Sequence, residues 1–167
     1  MPELELENDL RERVVLNLDM CIECRSCAAA CFYGHNELPV LQMARVGAAM
    51  LPALCRQCTD APCVAACPAG AMHRDAEGAV YRAVFVCRGC DSCVEACPFG
   101  VLEAETFHGQ IARCDLCRDR LDQGHGPRCV ESCPSGALQF MAESDAEAMG
   151  LLVLGSRTLG EHLVKRR

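Results

Sequence analysis

The chain has no tryptophan, and aromatic residues fill only 4% of its 167 positions. Hydrophobic burial alone leaves a core of this size thin, so something besides side-chain packing must supply folding free energy. No apolar run approaches the roughly 20 residues that cross a bilayer, which excludes direct insertion into a membrane as a helix. The first residues, Met1-Pro2-Glu3-Leu4-Glu5, lack the basic and apolar regions of a secretion signal. There is no twin-arginine signal either, and the protein reads as cytoplasmic. Positive charge is scarce as well: 16 Lys and Arg face 23 Asp and Glu, a formal balance of −7. That balance disfavours nucleic acid or an anionic membrane as a partner. The basic end, Lys165-Arg166-Arg167, reads as a solvated terminus.

Cysteine is what the chain has in excess, 16 residues. Disulfides, zinc sites and iron–sulfur clusters are the chemistries that use so many. Without an oxidising compartment a disulfide framework loses its rationale. The stretch CRGCDSCVEACP organises the rest. In it Cys87, Cys90, Cys93 and Cys97 follow C-x2-C-x2-C-x3-C and precede Pro98, the bacterial ferredoxin spacing for a [4Fe-4S] cluster. Three thiolates on a short loop cover three corners of an iron–sulfur cube. Val94, Glu95 and Ala96 begin a helical turn that carries Cys97 to a second cluster, and Pro98, lacking a backbone donor, ends that turn.

One such run requires another, and three others are present. Cys21, Cys24, Cys27 and Cys31 repeat the spacing, with Phe32 where the other runs have proline. Cys55, Cys58, Cys63 and Cys67 precede Pro68, with residues 59–62 bulging between the second and third cysteines. Cys114, Cys117, Cys129 and Cys133 precede Pro134, and their widest gap, residues 118–128, reads as a surface loop within a partner's reach. A glycine follows each final cysteine by three residues, at Gly34, Gly70, Gly100 and Gly136, which marks four copies of one unit.

Between the runs, residues 13–19 read as a half-buried strand. Residues 40–51, bracketed by Pro39 and Pro52, read as a connector in which one or two helical turns stay open. Residues 71–74 and 79–86 form strands of a hairpin turning at 75–78, and residues 101–106 and 110–113 a second one turning at 107–109. The final segment, 143–167, has no cysteine, and its run Leu151-Leu152-Val153-Leu154 reads equally as core or as docking surface.

Zinc ribbons use pairs of CxxC and have no need of a fourth cysteine three residues on, so the pattern favours iron–sulfur over zinc. Four clusters with four ligands each consume every cysteine. No iron then keeps an open position for substrate, and the expectation is electron conduction without catalysis. An oxidised cluster with four thiolates carries about −2, which takes the loaded chain to about −15. His35, His73, His108, His125 and His162 lack a metal spacing and read as surface or loop residues. Asp60, Asp91 and Asp115, inside cysteine loops, are expected to accept from backbone donors. Arg25, Arg56, Arg88, Arg113 and Arg118 adjoin ligands; their charge favours reduction of a nearby cluster or serves only solubility.

The segments DMCIECRSCAAAC, LCRQCTDAPCVAACPAGA, VCRGCDSCVEACPFG and RCDLCRDRL...PRCVESCPSGAL together resemble the four cysteine motifs of the electron-transfer subunits of molybdenum and tungsten oxidoreductases. That family includes the dimethyl sulfoxide reductase type beta subunits and the small subunits of formate dehydrogenases, and the likeness covers residues 14–138. It implies an α+β fold of two bacterial-ferredoxin-like modules with two [4Fe-4S] clusters each, short hairpins and short helices surrounding them. The first motif would pair with the fourth, so that residues 1–50 and 107–142 form an outer module. Residues 51–106 form an inserted one, and residues 143–167 a C-terminal docking segment.

The same resemblance implies the ligand sets. One cluster takes Cys21, Cys24, Cys27 and Cys133, and its neighbour Cys31, Cys114, Cys117 and Cys129. The inserted module takes Cys55, Cys58, Cys63 with Cys97, and Cys87, Cys90, Cys93 with Cys67. The implied role is a relay of single electrons between a tungsten- or molybdenum-pterin catalytic subunit, such as an aldehyde oxidoreductase, and an acceptor such as a flavin-containing subunit. A hetero-oligomer follows, and self-stacking into longer wires stays open. The alternative is a freestanding polyferredoxin serving a hydrogenase, formate or carbon monoxide dehydrogenase system.

Overall fold

The computed structural model describes residues 11–46, 48–105 and 110–153. The apolar half of the first expected strand forms β1 (Glu12–Leu16), in which Val14, Val15 and Leu16 are at most 3% exposed. The strand ends sooner than its pattern suggests. Asn17 accepts a hydrogen bond from the Asp19 backbone at 3.0 Å and starts a 3-10 turn, Leu18–Met20, that delivers the first cysteine loop. Helix α1 (Ser26–Gly34) carries Cys27 and Cys31 inward.

The connector is a hairpin, not helical turns: β2 (Gln42–Val46) pairs antiparallel with β3 (Ala49–Ala53). Pro52 lies opposite Met43 in this two-stranded sheet. Both strands of a two-stranded sheet are edges, where a missing donor is tolerated, unlike in a helix interior. Helix α2 (Pro62–Ala65) follows the second cysteine loop. Then β4 (Met72–Arg74) and β5 (Val80–Arg82) pair around Asp75, whose Oδ1 accepts from the backbone of Glu77 and of Ala79 at 3.0 and 2.8 Å. The second strand of this hairpin stops at Arg82 rather than 86, because residues 84–86 turn toward Cys87.

Helix α3 (Ser92–Glu95) precedes β6 (Glu103–Glu105) and β7 (Gln110–Ala112), which pair as expected; the turn between them, residues 106–109, lies outside the described residues. Helices α4 (Arg118–Leu121) and α5 (Arg128–Glu131) flank the gap of the fourth motif. The chain ends its described course with β8 (Leu138–Ala142), α6 (Glu143–Ala148) and β9 (Leu152–Val153). Both strands flank β1 in a three-stranded antiparallel sheet of order β8-β1-β9. The run at 151–154 therefore gives an edge strand through Leu152 and Val153, while Leu154 and the basic end lie outside the described residues. No described helix is long and apolar enough to cross a membrane.

Proline sets helix length after the cysteines. α2, α3 and α5 are four residues each, and Pro68, Pro98 and Pro134 stand shortly beyond them. A proline disfavours helical backbone in the residue before it. Phe32 imposes no such stop, and α1 runs for nine residues. Gly34 at its end lies against the Arg128 side chain, whose Cδ and Nε must shift to admit a Cβ there.

Two apolar clusters fill the interior. The larger joins Val14, Leu16, Val40 and Leu138 to Cys27, Cys31, Cys55, Cys114 and Cys129. The smaller gathers Met72, Val80, Leu102 and Ile111 around Cys93. Sulfur takes the volume that aromatic rings fill in other cores. Two buried polar side chains tie the halves together. The Arg13 Nη1 donates to the carbonyls of Gln57 and Arg56 at 2.6 and 3.3 Å, anchoring β1 to the second cysteine loop. Gln57, 1% exposed, donates to the Cys114 carbonyl at 2.9 Å and accepts from the Val80 backbone at 2.8 Å. Replacing Gln57 with Leu strands that carbonyl and that N–H, at about 1–3 kcal/mol for each buried group left unpaired. The Gln57→Leu protein is expected to bleach at a lower temperature than the unaltered one; the check is visible cluster absorbance followed anaerobically during heating.

Candidate metal centres

Each cysteine loop must fold its backbone around a point rather than along a line, and left-handed residues do this. Glu23, Gln57, Gly89 and Leu116, each directly before the second cysteine of its motif, have φ of 57, 51, 63 and 61°. A second left-handed residue caps the helix that follows: Arg25, Ala61, Asp91 and Cys117. For side chains other than glycine this backbone is strained, and strain of this kind concentrates at functional sites. The repeated glycines serve the exit from the motif, with φ of 63, 59 and 67° at Gly70, Gly100 and Gly136.

The thiols fall into four groups. Cys21, Cys24, Cys27 and Cys133 line one cavity, closed inside by Leu16, Met43 and Leu138. Cys55, Cys58, Cys63 and Cys97 line another with Phe99 and Arg113. Cys31, Cys117 and Cys129 interact electrostatically with one another, as do Cys129 and Cys114. Cys93 interacts with Cys67 and Cys87, and Cys67 with Cys90. The groups also act on one another electrostatically in sequence. Cys27 reaches Cys31 and Cys129, Cys114 reaches Cys55, and Cys93 reaches Cys63. They form a line of four, with the second and third groups inside.

Burial is most complete in the second group, whose four thiols are all buried, while the other groups mix buried thiols with half-buried or exposed ones. It pushes Cys31, Cys58 and Cys129 up to about 12, aided in each case by neighbouring thiols, and raises Cys114 well above the ordinary value. Cys24 and Cys90 are exposed, and hydrogen bonds from Ser26 and Ser92 lower them. Four soft sulfur donors converging on a pocket with apolar walls suit an iron–sulfur cluster, so the residues fit that group.

Residues 46–143 match the 4Fe-4S dicluster domain, and residues 18–34 match a 4Fe-4S binding domain. The chain belongs to the 4Fe-4S dicluster family. An iron–sulfur protein of Rhodospirillum rubrum is 34% identical over 91% of this chain and 94% of its own length. The thiosulfate reductase electron transfer subunit of Salmonella typhi is 35% identical over 76% of this chain and 73% of its own. A component polypeptide of the anaerobic dimethyl sulfoxide reductase of Escherichia coli is 34% identical over 72% of this chain and 68% of its own length. The resemblance drawn from the cysteine motifs therefore stands: this dicluster protein is similar to named electron-transfer subunits, and its cofactors are [4Fe-4S] clusters.

Several residues around the loops differ from their sequence reading. His35 lies 3.5 Å from the Cys117 sulfur and 3.8 Å from Asp115, at a motif rather than in a detached loop. Asp115 accepts from the Cys117 backbone at 2.8 Å, as expected of an aspartate in such a loop. Arg118 pairs with Asp75 at 2.9 Å, and Arg56 stacks on Phe99 at 3.9 Å. Arg25 and Arg88 are exposed, whereas Arg113 is buried with its Nη2 3.2 Å from the Cys55 sulfur. Arg13 and Gln57 gave no sequence signal, since neither is a ligand of a motif and both act on partners distant in the chain.

Exposure orders the centres by their access to oxidants. During timed exposure of the loaded dicluster protein to air, Cys24 and Cys90 are expected to become available to an alkylating reagent before Cys114 and Cys129. Mass-spectrometric mapping of labelled thiols checks the order, and simultaneous labelling of all four would contradict it.

Proposed function

We propose that this dicluster protein is the non-catalytic electron-transfer subunit of an oxidoreductase complex, relaying single electrons along four [4Fe-4S] clusters between a tungsten- or molybdenum-pterin catalytic subunit and a redox partner such as a flavoprotein. The observation that carries the reading is the gathering of 16 free cysteines into four groups, two of them lining a cavity with four cysteines each and all linked electrostatically. Each bound cluster supplies a site that gains and loses one electron with little rearrangement. The protein's own task is to hold the sites, bury the second of them fully and leave the first and fourth near the surface.

The ligand sets proposed are Cys21, Cys24, Cys27 with Cys133; Cys31, Cys114, Cys117 with Cys129; Cys55, Cys58, Cys63 with Cys97; and Cys67, Cys87, Cys90 with Cys93. The first two sets make an outer module and the others an inserted one, with β2–β3 and β6–β7 spanning the seams. The shared use of motifs supports this pairing, since Cys133 lines one cavity with Cys24 and Cys97 lines another with Cys58. Partner docking is supported at both ends of the line. Ile22, in the Cys21 loop, is 64% exposed, and Phe85, two residues before Cys87, is fully exposed between Val84 and Val86. Apolar side chains in that setting suit contact with another protein. The relatives named as components of thiosulfate and dimethyl sulfoxide reductases support a catalytic partner of that class. Sixteen unpaired cysteines favour a reducing compartment, and we place the protein in the cytoplasm.

Elemental analysis of the tagged protein, purified without oxygen from its own host with whatever accompanies it, tests the reading. About 16 iron atoms per chain are expected, with stoichiometric tungsten or molybdenum in the accompanying subunit. Iron without either metal would remove the pterin partner, and zinc in place of iron would overturn the assignment of the centres.

A further inference from the structure

Six arginines stand next to motif cysteines, and only one of them is buried, lies in no ion pair among the described residues and stacks on no ring. Arg113 is 6% exposed at the end of β7. Its Nη2 donates to the Cys55 sulfur at 3.2 Å, and its charge also acts on Cys63 and Cys114, which belong to the two inner groups. Its Nε and Nη1 each expose less than 1 Å² and have no acceptor among the described residues. A guanidinium cannot shed its proton, so two charged donors closed to water require an acceptor. Arg113 lines the cavity bounded by Cys55, Cys58, Cys63 and Cys97.

We propose that Arg113 is a positioning and tuning residue of that inner centre, donating to Cys55 and toward the cluster itself so that its fixed charge raises the cluster's reduction potential. This rests on the ligand set proposed above. Reduction adds one electron, hence one negative charge, with no bond broken and no proton taken up. In a buried site that added charge is disfavoured by desolvation, and a cation in contact with a ligand sulfur offsets the penalty. Arg56, stacked on Phe99 and half-buried, lines the same cavity and acts on Cys58 and Cys97. The outer groups have no buried cation of this kind among the described residues. The third centre thus takes an electron more readily than its burial alone permits, which lets charge pass through the interior of an acidic protein.

The test is a potentiometric titration of the whole loaded protein, read by electron paramagnetic resonance, comparing Arg113→Gln and Arg113→Lys with the unaltered chain. Arg113→Gln is expected to shift one cluster at least tenfold toward its oxidised form, a fall of about 59 mV for one electron, while Arg113→Lys shifts it less. Four unchanged midpoints in fully loaded Arg113→Gln, or equal shifts in both variants, would overturn the proposal. Cys97→Ser identifies the centre independently. It should alter the signal that Arg113→Gln shifts, and alteration of a different signal would refute the ligand set while leaving the arginine effect standing. Should Arg113→Gln bind less iron, the unaltered protein carrying 15N at its arginine guanidinium nitrogens replaces it. A 15N coupling on the Cys97-dependent signal that persists in Arg56→Gln is expected, and its absence would overturn the proposal.

Discussion

Convergence of four thiolates on one point constrains this chain more than any apolar contact does. A cysteine side chain is short, so the backbone itself must curl around the centre. The left-handed residues before the second cysteine of every motif are the visible consequence, and three of the four are not glycine. Glu23, Gln57 and Leu116 hold a conformation that their Cβ atoms disfavour. Metal–thiolate bonds offset that strain, which explains how a protein without tryptophan and with a core built largely of leucine, cysteine, valine and alanine stays folded. The same bonds displace protons from thiols that burial holds near 12, as at Cys31, Cys58 and Cys129, so assembly becomes easier as pH rises.

What was legible in the sequence follows from that constraint. Ligand spacing is set by the covalent reach of a few residues, so the motifs, the helical turns after them and the two hairpins at 72–82 and 103–112 can be read from local pattern. Even the departure at Phe32 reads locally: without a proline the helix simply continues through Gly34. The connector at 42–53 was not legible. Its apolar residues fit neither period cleanly, and the deciding feature is how Val40 and Leu41 anchor it to the core, a tertiary contact. Arg13, Gln57 and His35 were hidden for the same reason. Gln57 looks like filler inside a cysteine loop, yet its amide is the bridge between the second motif, the fourth motif and β5.

The inner polar groups also show how a chain with excess negative charge can carry more of it. The carboxylates lie mainly on the surface, where several are already engaged: Asp75 and Glu77 by Arg118, Glu131 by Arg120. Such exposed pairs contribute little stability. The direction of the buried cations matters more. Arg13, whose Nε also meets Glu143 at 3.5 Å, is directed at carbonyls of the second loop, and Arg113 at the sulfur of Cys55. Carbonyl dipoles and thiolates both accumulate negative potential around the inner centres, and two buried guanidiniums balance it where water cannot.

Placing the four thiol groups in a line has a consequence for the ends. An electron entering an interior site must cross the full desolvation barrier at once, whereas one entering at an exposed site is solvated first and moves inward by short steps. Cys24 and Cys90 belong to the first and fourth groups and are exposed, while every thiol of the second group is buried. The first and fourth groups therefore each present one solvent-exposed thiol, and the second presents none. The apolar side chains at Ile22 and Phe85 stand at those same ends. A contact surface that excludes water over an outer site shortens the distance to a partner's centre and lowers the local dielectric, so the field of the protein acts on the transferred charge with less screening. The exposed thiols and the exposed apolar side chains thus stand in the same two stretches of the chain.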